Sequence, residues 1–402
     1  MRPAYLPTMS SAVLSPAISA AGHRVGSFER SRIKSPYQPH LDGLRALAIM
    51  GVLMEHLGVT MPSMLRFGPL SVRFFFVLTG YFITLSLWRM KDELIENADG
   101  LMEHLGRFYL SRLLRIGPPF YLALIVGALL GVQEIRSNFL WLATFQANHY
   151  IVYLGYWPNA ISHFWSLAVQ EQFYILWPLV VLALPKRSFV LAMVIFIFFG
   201  LGFRIYCIST NTSTIIRWVT LLGCFDSFAT GALVAYLGQS FFLEKIKSLP
   251  HVVLSAMTLI AFSCFFLGRA LMTLPEGNIW LGFTETVDAI FLAWLLIVSL
   301  SGIKNRYSRM LSWKPLVYLG RISYGIYVYH VFVIILISPL LLSFGLSENH
   351  YALIRLAILV SLTLIMASLS WHFMEKPFLA WKSSLSLHRK QPSLGHLQPS
   401  SV

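Results

Sequence analysis

The sequence is poor in charged residues. Only 12% of its 402 residues are Asp, Glu, Lys or Arg, whereas a soluble globular domain carries about 25%. Hydrophobic residues make up 56% of the chain, so apolar surface must face lipid as well as other helices. This composition excludes an ordinary soluble domain and predicts an integral membrane protein.

Cysteine is also scarce. The three cysteines, Cys207, Cys224 and Cys264, lie in or beside apolar segments, without CxxC spacing and without a neighbouring histidine. This pattern excludes a disulfide framework and a zinc site, so we expect no metal cofactor. The sequence lacks internal repeats and any extramembrane segment long enough for a second globular domain. Any chemistry is therefore expected inside the membrane.

Ten apolar runs are long enough to cross a bilayer, which needs about 20 residues per helix. They cover residues 41–59, 67–88, 113–132, 164–184, 188–207, 219–241, 251–271, 283–303, 323–345 and 351–375. The segment 138–154 mixes aromatic with polar residues, and we interpret it as interfacial or re-entrant. The sequence predicts an all-α polytopic transmembrane helical bundle of about ten spans in the lipid bilayer.

The chain has few acidic residues, and its formal net charge is +14. The positive residues lie between the apolar runs and mainly on one side, which fits the positive-inside rule and argues against a nucleic-acid partner. This bias predicts that both termini are cytoplasmic. Residues 1–36 and 383–402 are expected to be flexible tails that flank a single membrane domain, residues 37–382.

The first span contains residues that are unfavourable inside a membrane. Asp42 and Arg45 are three positions apart on a helix, close enough to pair. His56 follows Arg45 by eleven residues, so it lies on nearly the same face about 16 Å further along the axis. A histidine with a pKa near 6.5 accepts the proton of an alcohol that attacks a thioester. The alternative is a structural ion pair and a histidine held by a neighbouring helix.

Two arginines near the start of the third span, Arg112 and Arg115, lie one turn apart on one helix face. Arginine forks suit phosphates, and a coenzyme A thioester carries a pyrophosphate and a 3′-phosphate. We expect this pair to bind acyl-CoA from the cytoplasm. The alternative is ordinary anchoring by positive residues. Arg73 and Asp226 are intramembrane polar residues to which the sequence assigns no role.

Several motifs in order resemble the acyltransferase family 3 membrane proteins, over almost all of residues 37–382. The run 41–46 with His56 is similar to the family's Arg-x10-His signature. The resemblance implies that His56 is the catalytic base and that Arg45, with Asp42 as its partner, supports the site.

Two more motifs strengthen this resemblance. Arg112 and Arg115 match the family's Arg-x-x-Arg motif, which implies that they bind the acyl-CoA donor, and the run 74–81 is similar to its FFVLSGF segment. The family implies a bacterial inner (plasma) membrane enzyme that takes an acyl group, expected to be acetyl from acetyl-CoA. Its acceptor would be a hydroxyl of a glycan or glycolipid.

The run 164–174 resembles another family motif but departs from it at one position. The family has a glutamate where this chain has Gln170, and Glu171 follows directly. A glutamine amide can do the work of a glutamate that only accepts hydrogen bonds, but it cannot do the work of a glutamate that gains and loses a proton. Gln170, Glu171 and Tyr174 are therefore candidate site-lining residues.

Two motifs close the resemblance. The run 320–330 is similar to the family's ISYGIYLxH segment, and the run 375–378 is similar to its EKPF ending. Tyr324, His330 and Glu375 in these runs are further candidates for lining the site.

The sequence thus predicts a membrane O-acetyltransferase with His56 as general base. A secondary transporter for a glycan or organic anion is the alternative from another class, since it would also need intramembrane ionisable residues. A catalytically inactive relative is a third reading, supported by Gln170. Some members of the family carry an additional esterase-like domain, so we also expect that a separate protein could take the acyl group further.

Overall fold

The computed structural model describes residues 37–59, 67–96, 100–239, 251–271, 278–301, 306–344 and 351–387, with a few isolated residues between 245 and 275. From Pro39 onwards the described residues form one compact unit. Every regular element in the described ranges is a helix, which confirms the predicted all-α bundle. The predicted tails lie outside these ranges, except for residues 383–387, which continue the last helix.

The helices are α1 (Pro39–His56), α2 (Phe67–Glu96), α3 (Leu101–Leu129), α4 (Gln133–Ser137), α5 (Phe139–Ala143), α6 (Ala147–Leu154), α7 (Phe164–Ala183), α8 (Lys186–Ser209), α9 (Thr214–Val219), α10 (Leu221–Gly238), α11 (His251–Leu271), α12 (Thr284–Leu300), α13 (Arg306–Leu311), α14 (Lys314–Arg321), α15 (Ser323–Ser343), α16 (Ala352–Ser370) and α17 (Lys376–Leu387). A 3₁₀ segment, Ile279–Phe283, precedes α12, and a π-helical segment, Trp371–Glu375, joins α16 to α17.

Nine helical segments in the described part of the chain are long and apolar enough to cross a bilayer. They correspond to nine of the ten predicted runs. The tenth run forms α1, an 18-residue helix that carries Asp42, Arg45 and Glu55 and is too charged to belong to this set. The segment 138–154 contributes the short helices α5 and α6, with 5 and 8 residues, and neither is long enough to span.

Helix α1 is held by other helices of the protein. A Cβ added to Gly51 of α1 would lie 2.4 Å from the hydroxyl oxygen of Ser71 on α2. A Cβ added to Gly320 of α14 would lie 1.9 Å from the carbonyl oxygen of Asp42. Both distances are shorter than any carbon contact allows, so glycine is required for α1 to approach α2 and α14 this closely.

The helices α2 and α10 also meet backbone to backbone. A Cβ on Gly80 would lie 2.0 Å from the carbonyl oxygen of Phe228, and one on Gly231 would lie 1.9 Å from that of Val77. Small residues allow membrane helices to approach in this way, which increases their van der Waals contact. The two glycines therefore make α2 and α10 a closely packed pair.

Beside this pair lies a group of charged side chains that are buried in the protein. Asp226 of α10 accepts a hydrogen bond from Arg204 of α8 at 2.7 Å and another from Thr286 of α12 at 2.8 Å. Arg73 of α2 lies 3.7 Å from the same carboxylate. Arg204 and Asp226 have no exposed surface. Asp226 thus joins four helices through one side chain.

Three more charged residues complete this group. Arg204 lies 3.4 Å from Glu285, and Arg269 lies 3.4 Å from Asp288. Arg204 also donates to the carbonyl oxygens of Gly223 at 2.7 Å and Gly282 at 3.0 Å. We call Arg73, Arg204, Arg269, Asp226, Glu285 and Asp288 the buried ion cluster. Its three positive and three negative groups balance, which is how a membrane protein accommodates buried charge.

Replacing Asp226 with alanine should destabilise the protein strongly. The variant leaves Arg73 and Arg204 buried without their shared carboxylate, so we expect the free energy of unfolding to fall by about 3–5 kcal/mol. Denaturant unfolding of the purified protein in detergent measures this change. The control, Asp92→Ala, breaks an exposed pair with Lys186 at 3.5 Å, for which we expect less than about 1 kcal/mol. Equal effects of the two variants would contradict the structural role of Asp226.

Gly231→Ala should force α2 and α10 apart. A methyl group has no room beside the carbonyl oxygen of Val77, so we expect a loss of about 1–3 kcal/mol in the free energy of unfolding. Thermal unfolding in detergent is the measurement. Gly202→Ala on α8 is the matched control, because no described atom lies within 4 Å of its added Cβ. A Gly231→Ala protein as stable as this control would refute the close packing.

Candidate active site

Three histidine rings meet at one end of α1. His56 is the last residue of α1, His163 directly precedes α7, and His330 lies on α15. The ring centroids of His56 and His330 are 4.8 Å apart with planes at 78°, and those of His163 and His330 are 5.2 Å apart at 74°. We call these residues the histidine cluster. The structure thus brings two predicted site residues, His56 and His330, into contact.

The orientation of the His56 ring suits a base. Its Nδ1 lies 3.0 Å from the carbonyl oxygen of Val52. Because a carbonyl oxygen only accepts hydrogen bonds, Nδ1 carries the proton of the neutral ring and Nε2 keeps its lone pair. His56 is exposed, whereas His163 and His330 are buried. The lone pair that accepts a proton therefore belongs to the accessible ring of the cluster.

Neighbouring side chains hold His163 in place. The hydroxyl of Tyr327 donates to the backbone carbonyl of His163 and lies 2.6 Å from the hydroxyl oxygen of Ser166. On the other side of the loop, Glu134 accepts a hydrogen bond from the backbone N–H of Ala160 at 2.8 Å. These contacts fix the segment that leads into α7.

His163 is the member of the cluster that the sequence analysis missed. Residues 155–163 form a connecting segment without a helical or strand period, so hydrophobic patterning gives no reason to single it out. The one available signal is its position directly before the motif run 164–174. Extending that motif by one residue would have included His163.

A second group of predicted residues surrounds three arginines. Arg45 pairs with Asp42 at 3.3 Å, and Asp42 also lies 3.9 Å from Arg321 of α14. The guanidinium of Arg45 interacts electrostatically with Arg115 of α3. We call Arg45, Arg112 and Arg115 the arginine cluster. Like charges at close range are unfavourable unless anionic groups offset them, so this cluster is suited to an anionic ligand.

Arg112 faces Tyr174 and Glu171 of α7. Its guanidinium carbon lies 5.7 Å from the centre of the Tyr174 ring, and it interacts electrostatically with Glu171 and Arg115. In the described part of the chain, two buried atoms here have no hydrogen-bond partner, Nε of Arg112 and Oε1 of Glu171. An open N–H on a buried guanidinium is what a phosphate oxygen would occupy. The arginines therefore fit the phosphates of a coenzyme A thioester.

Glu375 reaches the same region from the π-helical segment Trp371–Glu375. Its carboxylate interacts electrostatically with Arg115, and Ser370 donates to it at 3.5 Å. Tyr324 also interacts electrostatically with Glu375. A π segment inserts an extra residue into a helix and turns the following side chains, and such segments are frequent at functional sites. Here it ends on the buried carboxylate next to the arginines.

Gln170 and Glu171 point in different directions. The side-chain amide of Gln170 donates to the hydroxyl of Thr79 on α2 at 3.1 Å, whereas Glu171 interacts with Arg112. Consecutive residues on a helix differ by about 100°, so Glu171 does not take the place of the family's glutamate. Gln170 connects α7 to α2 in this protein.

The two clusters lie at opposite ends of α1. Arg45 is in the first half of the helix and His56 is its last residue. Eleven residues of helix separate them by about 16 Å along the axis. Helix α1 therefore sets the distance between the arginine cluster, which is suited to phosphates, and the histidine cluster, which is suited to proton transfer.

Comparisons with known proteins identify the family of this chain. The family model described as an acyltransferase domain matches residues 39–371. The chain is 27% identical over 371 residues to "Peptidoglycan O-acetyltransferase OatA" of Listeria monocytogenes, which covers 86% of this chain and 56% of the relative. It is 27% identical over 390 residues to "Putative peptidoglycan O-acetyltransferase YrhL" of Bacillus subtilis, which covers 88% of this chain and 57% of the relative.

This chain thus spans a little over half the length of the curated relatives it matches. No solved structure matches it. The family match nevertheless extends over nearly all of the described helices, and both relatives are named as O-acetyltransferases. The protein is an integral membrane protein that belongs to acyltransferase family 3.

Proposed function

We propose that the protein transfers an acetyl group from acetyl-CoA to a hydroxyl group of a glycan or glycolipid, with His56 as general base. The observation that carries this proposal is the ring of His56. Its Nδ1–H is held by the Val52 carbonyl, its Nε2 is the accessible lone pair, and it stands at one end of a helix whose other end carries Arg45 of the arginine cluster.

In the proposed reaction, Nε2 of His56 takes the proton of the acceptor hydroxyl as its oxygen attacks the carbonyl carbon of the thioester. A C–O bond forms, the C–S bond breaks, and the thiolate of coenzyme A leaves. The imidazolium of His56 then gives its proton to the thiolate. The enzyme returns to its starting state, and the products are an O-acetyl ester and coenzyme A.

The arginine cluster supports the assignment of the donor. Coenzyme A is an anion with several phosphate groups, and guanidinium forks form paired hydrogen bonds with phosphate oxygens. The unpartnered Nε of Arg112 and the electrostatic interactions of Arg115 with Arg112 and with Arg45 both favour such a ligand. Asp42 holds Arg45 in position and is not itself a phosphate ligand.

The orientation in the membrane follows from the same assignment. We propose that the protein lies in the bacterial inner membrane with both termini in the cytoplasm. Arg45, Arg112 and Arg321 then lie towards the cytoplasmic ends of their helices, on the side where acetyl-CoA is available. His56 lies towards the opposite side, so the acetyl group travels inward to reach it.

The named relatives support the acceptor class. Their names give peptidoglycan as the acceptor, and we propose a carbohydrate hydroxyl as the acceptor here. A separate protein that passes the acetyl group on is a further part of the proposal. The acyltransferase family match favours this enzyme over the transporter alternative.

His56→Ala should abolish acetyl transfer. General-base catalysis contributes about 10²- to 10⁴-fold, so we expect at least a hundredfold loss of ester-linked label when membranes are supplied with labelled acetyl-CoA and a glycan fraction. His149→Ala is the control, because His149 is exposed on α6 and its ring contacts Gln146. A stably inserted His56→Ala protein that labels the acceptor like the wild type would rule out His56 as the base.

Arg112→Ala should weaken donor binding. Losing a charge-assisted hydrogen bond removes about 1.5–3 kcal/mol, so we expect the KM for acetyl-CoA to rise by roughly 10- to 100-fold with a smaller change in kcat. Arg112→Lys keeps the charge but loses the fork, and an intermediate KM is expected. The control is Arg107→Ala, since Arg107 is exposed and pairs with Glu103. An unchanged KM in Arg112→Ala would exclude Arg112 from the donor site.

A further inference from the structure

We propose that His330 is a positioning residue for His56. The lone-pair edge of the His330 ring stabilises the positive charge that His56 acquires when it removes the proton from the acceptor hydroxyl. This inference rests on the proposed function, because it assigns a role to the neighbour of the proposed base.

The hydrogen bonds of His330 fix its protonation pattern. Its Nδ1 lies 2.7 Å from the carbonyl oxygen of Tyr327 and 3.1 Å from that of Ile326. Both are acceptors, so Nδ1 carries the proton and Nε2 carries the lone pair. His330 has no exposed surface, and its Nε2 has no hydrogen-bond partner in the part of the chain that the structure describes. The ring therefore presents an unused acceptor inside the protein.

The ring of His330, which carries this acceptor, contacts the ring of His56. The centroids are 4.8 Å apart and the planes are nearly perpendicular, at 78°, so the edge of one ring lies against the other ring. The edge of His330 that is free of backbone hydrogen bonds is the one that bears Nε2. A cationic ring next to a lone pair is favourable, and here the lone pair belongs to a ring that has no exposed surface.

His330 also contacts a second ring that is held in place. The ring of His163 lies 5.2 Å away at 74°, and Tyr327 binds the backbone of His163 and contacts Ser166. Glu55, which precedes His56, packs against Gly68 of α2. The tight setting of His330 keeps its ring from turning away when His56 becomes charged.

The role of His330 does not change the balance of the reaction. The proton moves from the acceptor hydroxyl to Nε2 of His56 and from there to the thiolate of coenzyme A. His330 neither gains nor loses a proton. It lowers the energy of the state in which His56 is positively charged, so its contribution should appear in kcat and leave the KM for acetyl-CoA unchanged.

Two substitutions separate this role from a purely structural one. In His330→Asn the amide N–H takes the place of Nδ1–H, so the hydrogen bond to the Tyr327 carbonyl is kept and the Nε2 acceptor is lost. In His330→Gln the longer side chain brings an amide oxygen near the position of Nε2. We expect kcat to fall by roughly tenfold or more in His330→Asn, which is the size expected for the loss of a hydrogen-bond-like contact to a charged group. In His330→Gln we expect kcat to be largely restored. If His330 only anchors its own helix, His330→Asn should be the more active of the two.

The measurement is acetyl transfer by full-length protein in proteoliposomes, with kcat and KM determined for the wild type, both His330 variants, His56→Ala and the double variant His56→Ala/His330→Asn. Because His330 acts through His56, the double variant should retain the same residual activity as His56→Ala. Suppose that the wild type is active and His56→Ala is inactive, as the proposed function requires. Full activity in His330→Asn, or a further loss of activity in the double variant, would then overturn this inference alone. An inactive wild type, or a fully active His56→Ala, would overturn the proposed function and this inference with it.

The wild type provides a second test that does not depend on the folding of the variants. The ¹⁵N NMR signals of histidine-labelled protein report which ring nitrogen carries the proton. We expect His330 to be protonated at Nδ1 and bare at Nε2, with its signals assigned by their loss in whichever His330 variant folds best. A protonated Nε2 on His330 would overturn the inference, because no lone pair would then face the charge of His56.

Discussion

The bond between Asp226 and Arg204 is the interaction on which the rest of the structure depends. Neither side chain reaches solvent, and Arg73 shares the carboxylate from α2, so α2, α8, α10 and α12 are connected at one point. Breaking such a group inside a membrane protein leaves charge without compensation. Helix α2 is thereby fixed, and α2 in turn receives α1 at Gly51 and α7 through the bond between Thr79 and Gln170.

The protein contains two groups of charged side chains, the buried ion cluster and the arginine cluster, and they differ in how their charges are compensated. In the buried ion cluster every described carboxylate has a cationic neighbour. Arg204 donates hydrogen bonds to Asp226 and to the carbonyl oxygens of Gly223 and Gly282, and it lies 3.4 Å from Glu285. In the arginine cluster, Arg115 interacts electrostatically with two other guanidinium groups, those of Arg45 and Arg112. The buried ion cluster pairs opposite charges and stabilises the fold, whereas the arginine cluster gathers positive charges and is suited to an anionic ligand.

Much of the architecture could be predicted from the sequence, because the length and hydropathy of an apolar run are local properties. Arg45, His56, Arg112 and Glu375 could be selected as site candidates, because ionisable groups in a membrane are unfavourable. The partners of Arg73 and Asp226 could not be predicted, since Arg204 and Thr286 are distant in sequence and only tertiary packing brings them together. His163 was missed because a connecting segment has no helical or strand periodicity. The different directions of Gln170 and Glu171 became clear only once their partners, Thr79 and Arg112, were known.

The charged residues of α1 affect the insertion of this helix into the membrane during synthesis. This helix is synthesised early, yet it carries ionisable residues that oppose insertion by about 2.5–3.5 kcal/mol each when a helix stands alone. Its ion-pair partner Arg321 and the packing residue Gly320 emerge from the ribosome almost three hundred residues later. The helix that carries His56 is therefore completed by the last third of the chain. A truncated or stalled product that ends before Gly320 and Arg321 therefore lacks the residues against which α1 packs.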